Sequence, residues 1–206
     1  MGRILSTKQL SEPQRQLILN TQHSLVEYNA ISIQKDLSAI PDSSLNHVII
    51  TSQNAAKICI DQQLSMQKVF CVGKKTAHLL LEAGYQVVLI CPYGQNLAQV
   101  LTTAYREETF TMLCSAQRLG TIPNALTSAG ISFTEYHVYS TLHQYKDFSE
   151  PFDVVMFFSP SGVESFYHSS TNKAKAAVCI GQTTAKTAQH YCSQVAVANS
   201  TQVESC

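Results

Sequence analysis

Apolar residues along the chain fall into short β-branched runs, separated by stretches where they recur at helical spacing. Runs at 48–51, 69–72, 86–90 and 110–114, such as Val69-Phe70-Cys71-Val72, predict four strands. The spacing between them predicts helices at about 54–64, 75–83, 95–104 and 122–129, the last two opening near Asn96 and Pro123. A second series predicts strands at 154–158, 177–180 and 194–198. These runs are apolar without alternation, so both of their faces need cover. Strands of that kind alternating with helices predict an α/β fold of parallel sheets with helices on both sides.

Laid over itself, the chain repeats at an offset of 108 residues. FCVGKKTAHL at 70–79 falls on VCIGQTTAKT at 178–187, pairing Cys71 with Cys179, Gly73 with Gly181 and Thr76 with Thr184. SLVEYNAIS at 24–32 falls on SFTEYHVYS at 132–140, Ile4-Leu5 on Met112-Leu113, and Gln86-Val87 on Gln194-Val195. NHVIITSQNA at 46–55 resembles FDVVMFFSPSG at 152–162, one residue out of register. One such match could arise by chance, but four in register do not.

The second copy stops one strand short, and the strand at 3–6 is the repeat equivalent of the one it lacks. The N-terminal strand, with a helix near 13–21, is therefore expected to complete the sheet begun at residue 152. Two similar parallel-sheet α/β lobes follow from this. One is discontinuous, made of 1–24 and 143–206, and the other is 35–132. The repeat-related segments 25–34 and 133–142 are expected to cross between them as a two-stranded connector. Two lobes on a hinge are expected to leave a cleft, and ligands favour clefts.

Composition removes several partners. Fourteen basic and fourteen acidic residues give a net charge of zero, and charged residues make up 14% of the chain, against about 25% in typical domains. Such a chain has no electrostatic footprint for nucleic acid or an anionic membrane. Seven cysteines occur without a C-x-x-C pair, and most lie in or beside apolar runs, the usage of reduced thiols in a cytoplasmic protein. No apolar stretch approaches the roughly 18 residues of a membrane span, and Met1-Gly2 with Ser6 is read as a chance myristoylation match. No histidine or cysteine spacing suits a metal.

Candidate chemistry lies where strands end and helices begin. The turns Thr51-Ser52-Gln53-Asn54, Ser159-Pro160-Ser161-Gly162, Gly73-Lys74-Lys75-Thr76 and Gly181-Gln182-Thr183-Thr184 all carry hydroxyls or glycine at that point. Helix N-termini hold unpaired N–H groups and a partial positive charge, so they accept carboxylates without arginine. The same serines and threonines also serve simply as caps. Neither glycine turn is a P-loop, because G-K-K-T lacks the preceding G-x-x-x-x and no G-x-G-x-x-G occurs. Tyr139 stands where the first copy has Ile31. Such a tyrosine either gives a proton or hydrogen bond to a leaving group, or packs with a wet hydroxyl.

Together these motifs resemble uroporphyrinogen-III synthases. The resemblance rests on ILSTK, the T-S-x-x-A turn of VIITSQNA, VFCVGKKTAHLLLEAGY, QNLAQVL, VYST, FFSPSG and CIGQTTAKTA in this order, and it covers nearly the whole chain. It implies two α/β lobes joined by a two-stranded ladder, a HemD-like fold. It implies a monomeric hydro-lyase of haem biosynthesis that cyclises hydroxymethylbilane with inversion of ring D and loss of water, without metal or organic cofactor. The matching positions are Thr51, Ser52, Thr76, Ser159, Ser161, Thr183 and Thr184 for substrate carboxylates, with Tyr139 assisting loss of the hydroxyl.

Some positions depart from the family pattern. Thr7-Lys8 replaces a common Thr-Arg, keeping charge without the fork. The arginine-bearing turn is reduced to Ser115-Ala116-Gln117-Arg118, with Arg118 as a candidate anion contact beside Lys8. The chain ends in VESC where a final helix is common, so that lobe's edge is expected to be less covered. The alternative is a non-catalytic two-lobed module that binds a small polycarboxylate or a tetrapyrrole.

Overall fold

The computed structural model describes residues 2–38, 40, 43–169 and 174–199. The VESC terminus and Cys206 lie outside them. The chain divides into two compact units, Met1–Ser32 with Leu142–Cys206, and Ile33–Thr141.

The central unit builds a sheet from β4 (Leu45–Ile50), β5 (Met66–Val72), β6 (Val87–Cys91), β7 (Phe110–Ser115) and β8 (Phe133–His143), with β3 (Ile31–Lys35) at one edge. Their order is β3-β8-β7-β4-β5-β6, and β4 through β8 pair in parallel. Four helices cross between the strands: α2 (Gln53–Asp61), α3 (Lys74–Glu82), α4 (Gly94–Ala104) and α5 (Thr121–Ser128). The unbroken apolar runs are explained by burial on both faces. Val48, Ile50, Val69, Cys71 and Leu113 pack under α2 and α3 against Ala55, Ala56, Ile58 and Leu80. Ile49, Phe70, Phe110, Met112 and Cys114 face α4 and α5 through Leu97, Leu101, Ile122 and Leu126. Strand β4 begins three residues before the expected 48, because Leu45 already pairs with Met66. Helix α2 stops at Asp61, short of 64, where Gln63 turns to a φ of 51°.

The other unit uses both ends of the chain. Strand β1 (Arg3–Ser6) lies between β2 (Ser24–Glu27) and β9 (Val154–Phe157), and β10 (Ala176–Cys179) and β11 (Val195–Val197) extend the sheet in the order β11-β10-β9-β1-β2. Ile4 pairs with Val154, and every pairing in this sheet is parallel. Its helices are α1 (Glu12–Leu19), α6 (Pro160–Ser169) and α7 (Gln182–Ala188). One face packs Leu5, Val155, Phe157, Ala177 and Cys179 against Val163 and Phe166 of α6 and Ala185 and Ala188 of α7. The helix that follows β1, α1, buries no residue. The two sheets share one order, with β11, β10, β9, β1 and β2 standing where β6, β5, β4, β7 and β8 stand in the other.

The connector differs from expectation. Residues 25–34 do not form one strand; they divide into β2, an edge of the β1 sheet, and β3, which pairs with β8. Tyr28 and Ala30 at the break still bond to the β1 end, with Tyr28 N donating to Ser6 O and Ala30 N to Thr7 O, 3.1 Å each. Beyond it, Gln144 N donates to Ala30 O (2.8 Å) and Asp36 N to Val138 O (3.0 Å). One segment advances from 30 to 36 while its partner runs back from 144 to 138, so the two run antiparallel.

Candidate functional site

All four expected turns lie at carboxyl ends of strands, but they differ in what their helix starts leave open. In the central unit, Ser52 caps α2 and its Oγ accepts Ala55 N at 3.1 Å. In the other unit, Ser159 Oγ accepts Gly162 N at 3.0 Å at the start of α6. Each serine thus occupies one amide that a ligand could take. Helices α3 and α7 are preceded by Gly73 and Gly181, and no side chain caps either one. Gly73 has φ 86° and ψ 136°, a region L side chains rarely adopt. Glycine there turns the chain and brings no capping side chain of its own to α3.

Thr76 and Thr184 each occupy the third position of these glycine-led helices and are 4% exposed. Their hydroxyls bond to no described residue, yet neither oxygen is sealed from solvent. Thr183 is exposed, and its carbonyl accepts Thr187 Oγ1 at 3.3 Å. Thr51 is half-buried and follows the last residue of β4, just before Ser52. Ser161 is half-buried, and its hydroxyl makes no hydrogen bond to a described residue.

Around α6 the chain is closely packed. A Cβ on Gly162 would lie 3.2 Å from Ser159 Oγ, 3.7 Å from Thr7 Oγ1 and 3.9 Å from Ala30 Cβ, so the helix start is drawn against the end of β1 by a residue without a side chain. Thr7 Oγ1 is committed to Met156 O at 2.7 Å. Lys8 is exposed, with its Nζ 5.4 Å from the Phe158 ring, one residue before Ser159. Thr7, Lys8, Ser159 and Gly162 therefore form one locality.

Tyr139 belongs to the core of the central unit, 6% exposed, with its hydroxyl donating to Ser52 Oγ at 3.0 Å. A one-residue bulge sets this aim. Leu113 pairs with Tyr136 and Cys114 with His137, but Ser115 pairs with Tyr139, so Val138 is the extra residue. Without the bulge, Tyr139 would point to the opposite face of the sheet from Tyr136 and away from α2. The contact also defines Ser52. A serine hydroxyl has two lone pairs and one proton. Ala55 N and Tyr139 Oη fill the lone pairs, which leaves the Ser52 proton to donate outward.

Arg118 is engaged elsewhere. Its Nε meets Glu135 Oε1 at 2.6 Å and its Nη2 meets Oε2 at 2.7 Å, a fork closed on a carboxylate of its own unit. Hydrogen bonding to Glu135 raises the guanidinium further above its ordinary value. The repeat shows the same device: Glu27, at the position equivalent to Glu135, accepts Arg15 Nε at 2.8 Å and Leu10 N at 2.7 Å. The shared Glu-Tyr pair of VEYNAIS and TEYHVYS was the sequence signal for this arrangement. Among the described residues no group of His, Cys, Asp and Glu could hold a metal, and no helix is long and apolar enough to cross a membrane.

A family model for uroporphyrinogen-III synthase HemD matches residues 16–206. The chain belongs to the uroporphyrinogen-III synthase HemD family. It is accordingly an enzyme of haem biosynthesis, a lyase. The fold is similar to that of uroporphyrinogen-III synthetase from Helicobacter pylori, with a TM-score of 0.72 at 16% identity, covering 100% of this chain and 96% of that one. It is also similar to a variant uroporphyrinogen III synthase from Thermus thermophilus, with a TM-score of 0.65 at 14% identity, covering 100% and 95%. No curated protein matches the chain in sequence. Membership in the HemD family does not favour the non-catalytic binding module.

Proposed function

We propose that Tyr139 and Ser52 together assist departure of the hydroxyl group when this synthase closes hydroxymethylbilane to uroporphyrinogen III. Tyr139 donates to Ser52, and Ser52 in turn presents its proton to the leaving oxygen. As the C–O bond breaks, that oxygen takes the Ser52 proton and leaves as water, while Ser52 is reprotonated from Tyr139. The resulting azafulvene is attacked by the substituted carbon of ring D, and the spiro intermediate fragments and recloses with that ring inverted. A proton lost from the macrocycle restores Tyr139. The remaining task is to hold a flexible chain so that the less accessible carbon reacts, which is catalysis by orientation.

Carboxylates of the substrate bind at the helix starts, above all at the uncapped ones of α3 and α7, with Thr76, Thr183 and Thr184. Thr51, Ser159, Ser161 and Lys8 supply further donors. Arg118 is assigned to Glu135 rather than to substrate. The chain works as a cytoplasmic monomer; the six buried cysteines outside any disulfide among the described residues support the cytoplasmic part, and the family resemblance supports the monomer.

The observation that carries the reading is the 3.0 Å contact between Tyr139 and Ser52 at a strand-end turn of a HemD chain. The test supplies freshly made hydroxymethylbilane to Tyr139→Phe, oxidises the products and separates the isomers. Type III formation should slow by roughly 10²-fold or more with the thermal midpoint little changed. Unchanged turnover removes Tyr139 from the chemistry.

A further inference from the structure

The turn Ser115–Arg118 touches β8 at three places around the bulge. Arg118 grips Glu135 on one side of Val138. Ala116 N donates to Tyr139 O at 2.9 Å. Beyond the end of β7, where no backbone ladder remains, Thr141 N donates to Gln117 Oε1 at 2.9 Å. The Gln117 side chain therefore takes the place of a strand carbonyl.

Gln117 is itself held in position. Its Oε1 also accepts the Ser115 hydroxyl at 3.0 Å, while its backbone N–H donates to that same Ser115 Oγ at 3.1 Å. Arg118 N closes the turn onto Ser115 O at 3.1 Å. Side chain, turn and strand thus form one hydrogen-bonded unit on the exposed end of the sheet. The energetic contrast is with β8 left to itself. A bulged strand has one residue out of ladder, and a return to regular pairing would carry Tyr139 to the wrong face. Anchors on both sides of the extra residue oppose that slip.

We infer that Gln117 is a positioning residue: through Thr141 it keeps Tyr139 in the shifted register that aims its hydroxyl at Ser52. Only its oxygen is used on Thr141 and Ser115, so the role needs an acceptor of that length and no amide donor. This rests on the part given to Tyr139 above, and the experiment separates the two. Gln117 is exposed, so substituting it leaves the core intact.

Gln117→Ala, Gln117→Glu, Tyr139→Phe and the double variant Gln117→Ala with Tyr139→Phe are assayed for kcat, KM and the type III to type I ratio, alongside amide exchange at Thr141. Gln117→Ala should lower kcat roughly tenfold with little change in KM, and should speed exchange at Thr141. Gln117→Glu, which keeps the acceptor, should restore both. In the double variant the loss should be no greater than for Tyr139→Phe alone. An effect of Gln117→Ala that persists undiminished without the Tyr139 hydroxyl overturns the inference, as does unaltered exchange at Thr141. Full activity of Gln117→Ala beside a slowed Tyr139→Phe overturns it while leaving the role of Tyr139 standing. If Tyr139→Phe is itself unimpaired, the role of Tyr139 fails first and the positioning role goes with it.

Discussion

Arg118 closes both arms of its guanidinium on Glu135, at 2.6 and 2.7 Å, across the gap between a turn and the strand beside it. Both side chains are mostly buried, with 29% and 20% of their surface exposed. A parallel two-bond pair of this kind is among the stronger charge contacts, and removing one partner leaves the other charge poorly solvated. Arg118→Met should therefore cost about 2 kcal/mol in urea unfolding, and Arg118→Lys should recover only part of it. If Arg118 instead held substrate, KM would rise while unfolding stayed unchanged.

Gly73 makes a contrasting prediction about backbone. With φ at 86° and ψ at 136°, a Cβ there is strained even though the nearest atom to it would be Thr76 Oγ1 at 4.0 Å. Space is therefore available and conformation is the limit. Gly73→Ala should destabilise the protein by about 1–3 kcal/mol, seen as a lower melting temperature. Gly181→Ala should do far less, since Gly181 has φ −174°, which any residue adopts, and open space around its Cβ. Equal losses at both glycines would show that conformation at Gly73 is not the cause.

The sequence carried the architecture because burial on both faces writes itself as unbroken apolar runs, and because the repeat matched strands of one unit to strands of the other. The place of β1 beside β9 follows from the same repeat, but its register does not: Met112, the equivalent of Ile4, pairs with Ile49, the equivalent of Met156, whereas Ile4 pairs with Val154. The connector was less legible. Leu25 to Gln34 reads as continuous, and the break at Tyr28–Ala30 comes from bonds to Ser6 and Thr7, residues far away in sequence. Site chemistry was legible as position but not as availability. Ser52 and Thr76 look alike as hydroxyls at helix starts, and only the folded chain reveals that Ser52 caps an amide while the Thr76 hydroxyl bonds to no described residue. A one-residue bulge leaves no mark in TEYHVYS, so the aim of Tyr139 could not be read from it.

Acid should weaken the hold on the strand that comes from the N-terminus. Asp153 Oδ1 accepts Lys175 Nζ and its Oδ2 accepts Arg3 N at 2.7 Å, so the carboxylate fastens β1 to its neighbour. The Lys175 hydrogen bond, then the Arg3 amide, hold its pKa below the ordinary 3.8. A depressed folded value means the contribution is fully present above the unfolded pKa and disappears as pH falls through the folded one. The wild type should thus melt above Asp153→Asn at pH 6, and the gap should close as pH falls below about 4. A gap that stays constant from pH 6 to pH 3 would show that the ionised form is not what matters.

Ser159 and Ser161 stand two residues apart in one turn and should respond differently to the same substitution. Ser159 Oγ accepts Gly162 N and so satisfies a helix amide. Its truncation to Ala should lower stability by about 1 kcal/mol, the usual value of an N-cap. The Ser161 hydroxyl makes no hydrogen bond to a described residue, and Ser161→Ala should move the melting curve by less than about 0.5 kcal/mol. If Ser161 donates to a substrate carboxylate, its loss appears only with hydroxymethylbilane present, as a KM raised roughly tenfold, the value of one hydrogen bond to a charged group. Matched melting curves with a raised KM for Ser161→Ala would assign its hydroxyl to the ligand, whereas a stability loss like that of Ser159→Ala would assign it to the helix.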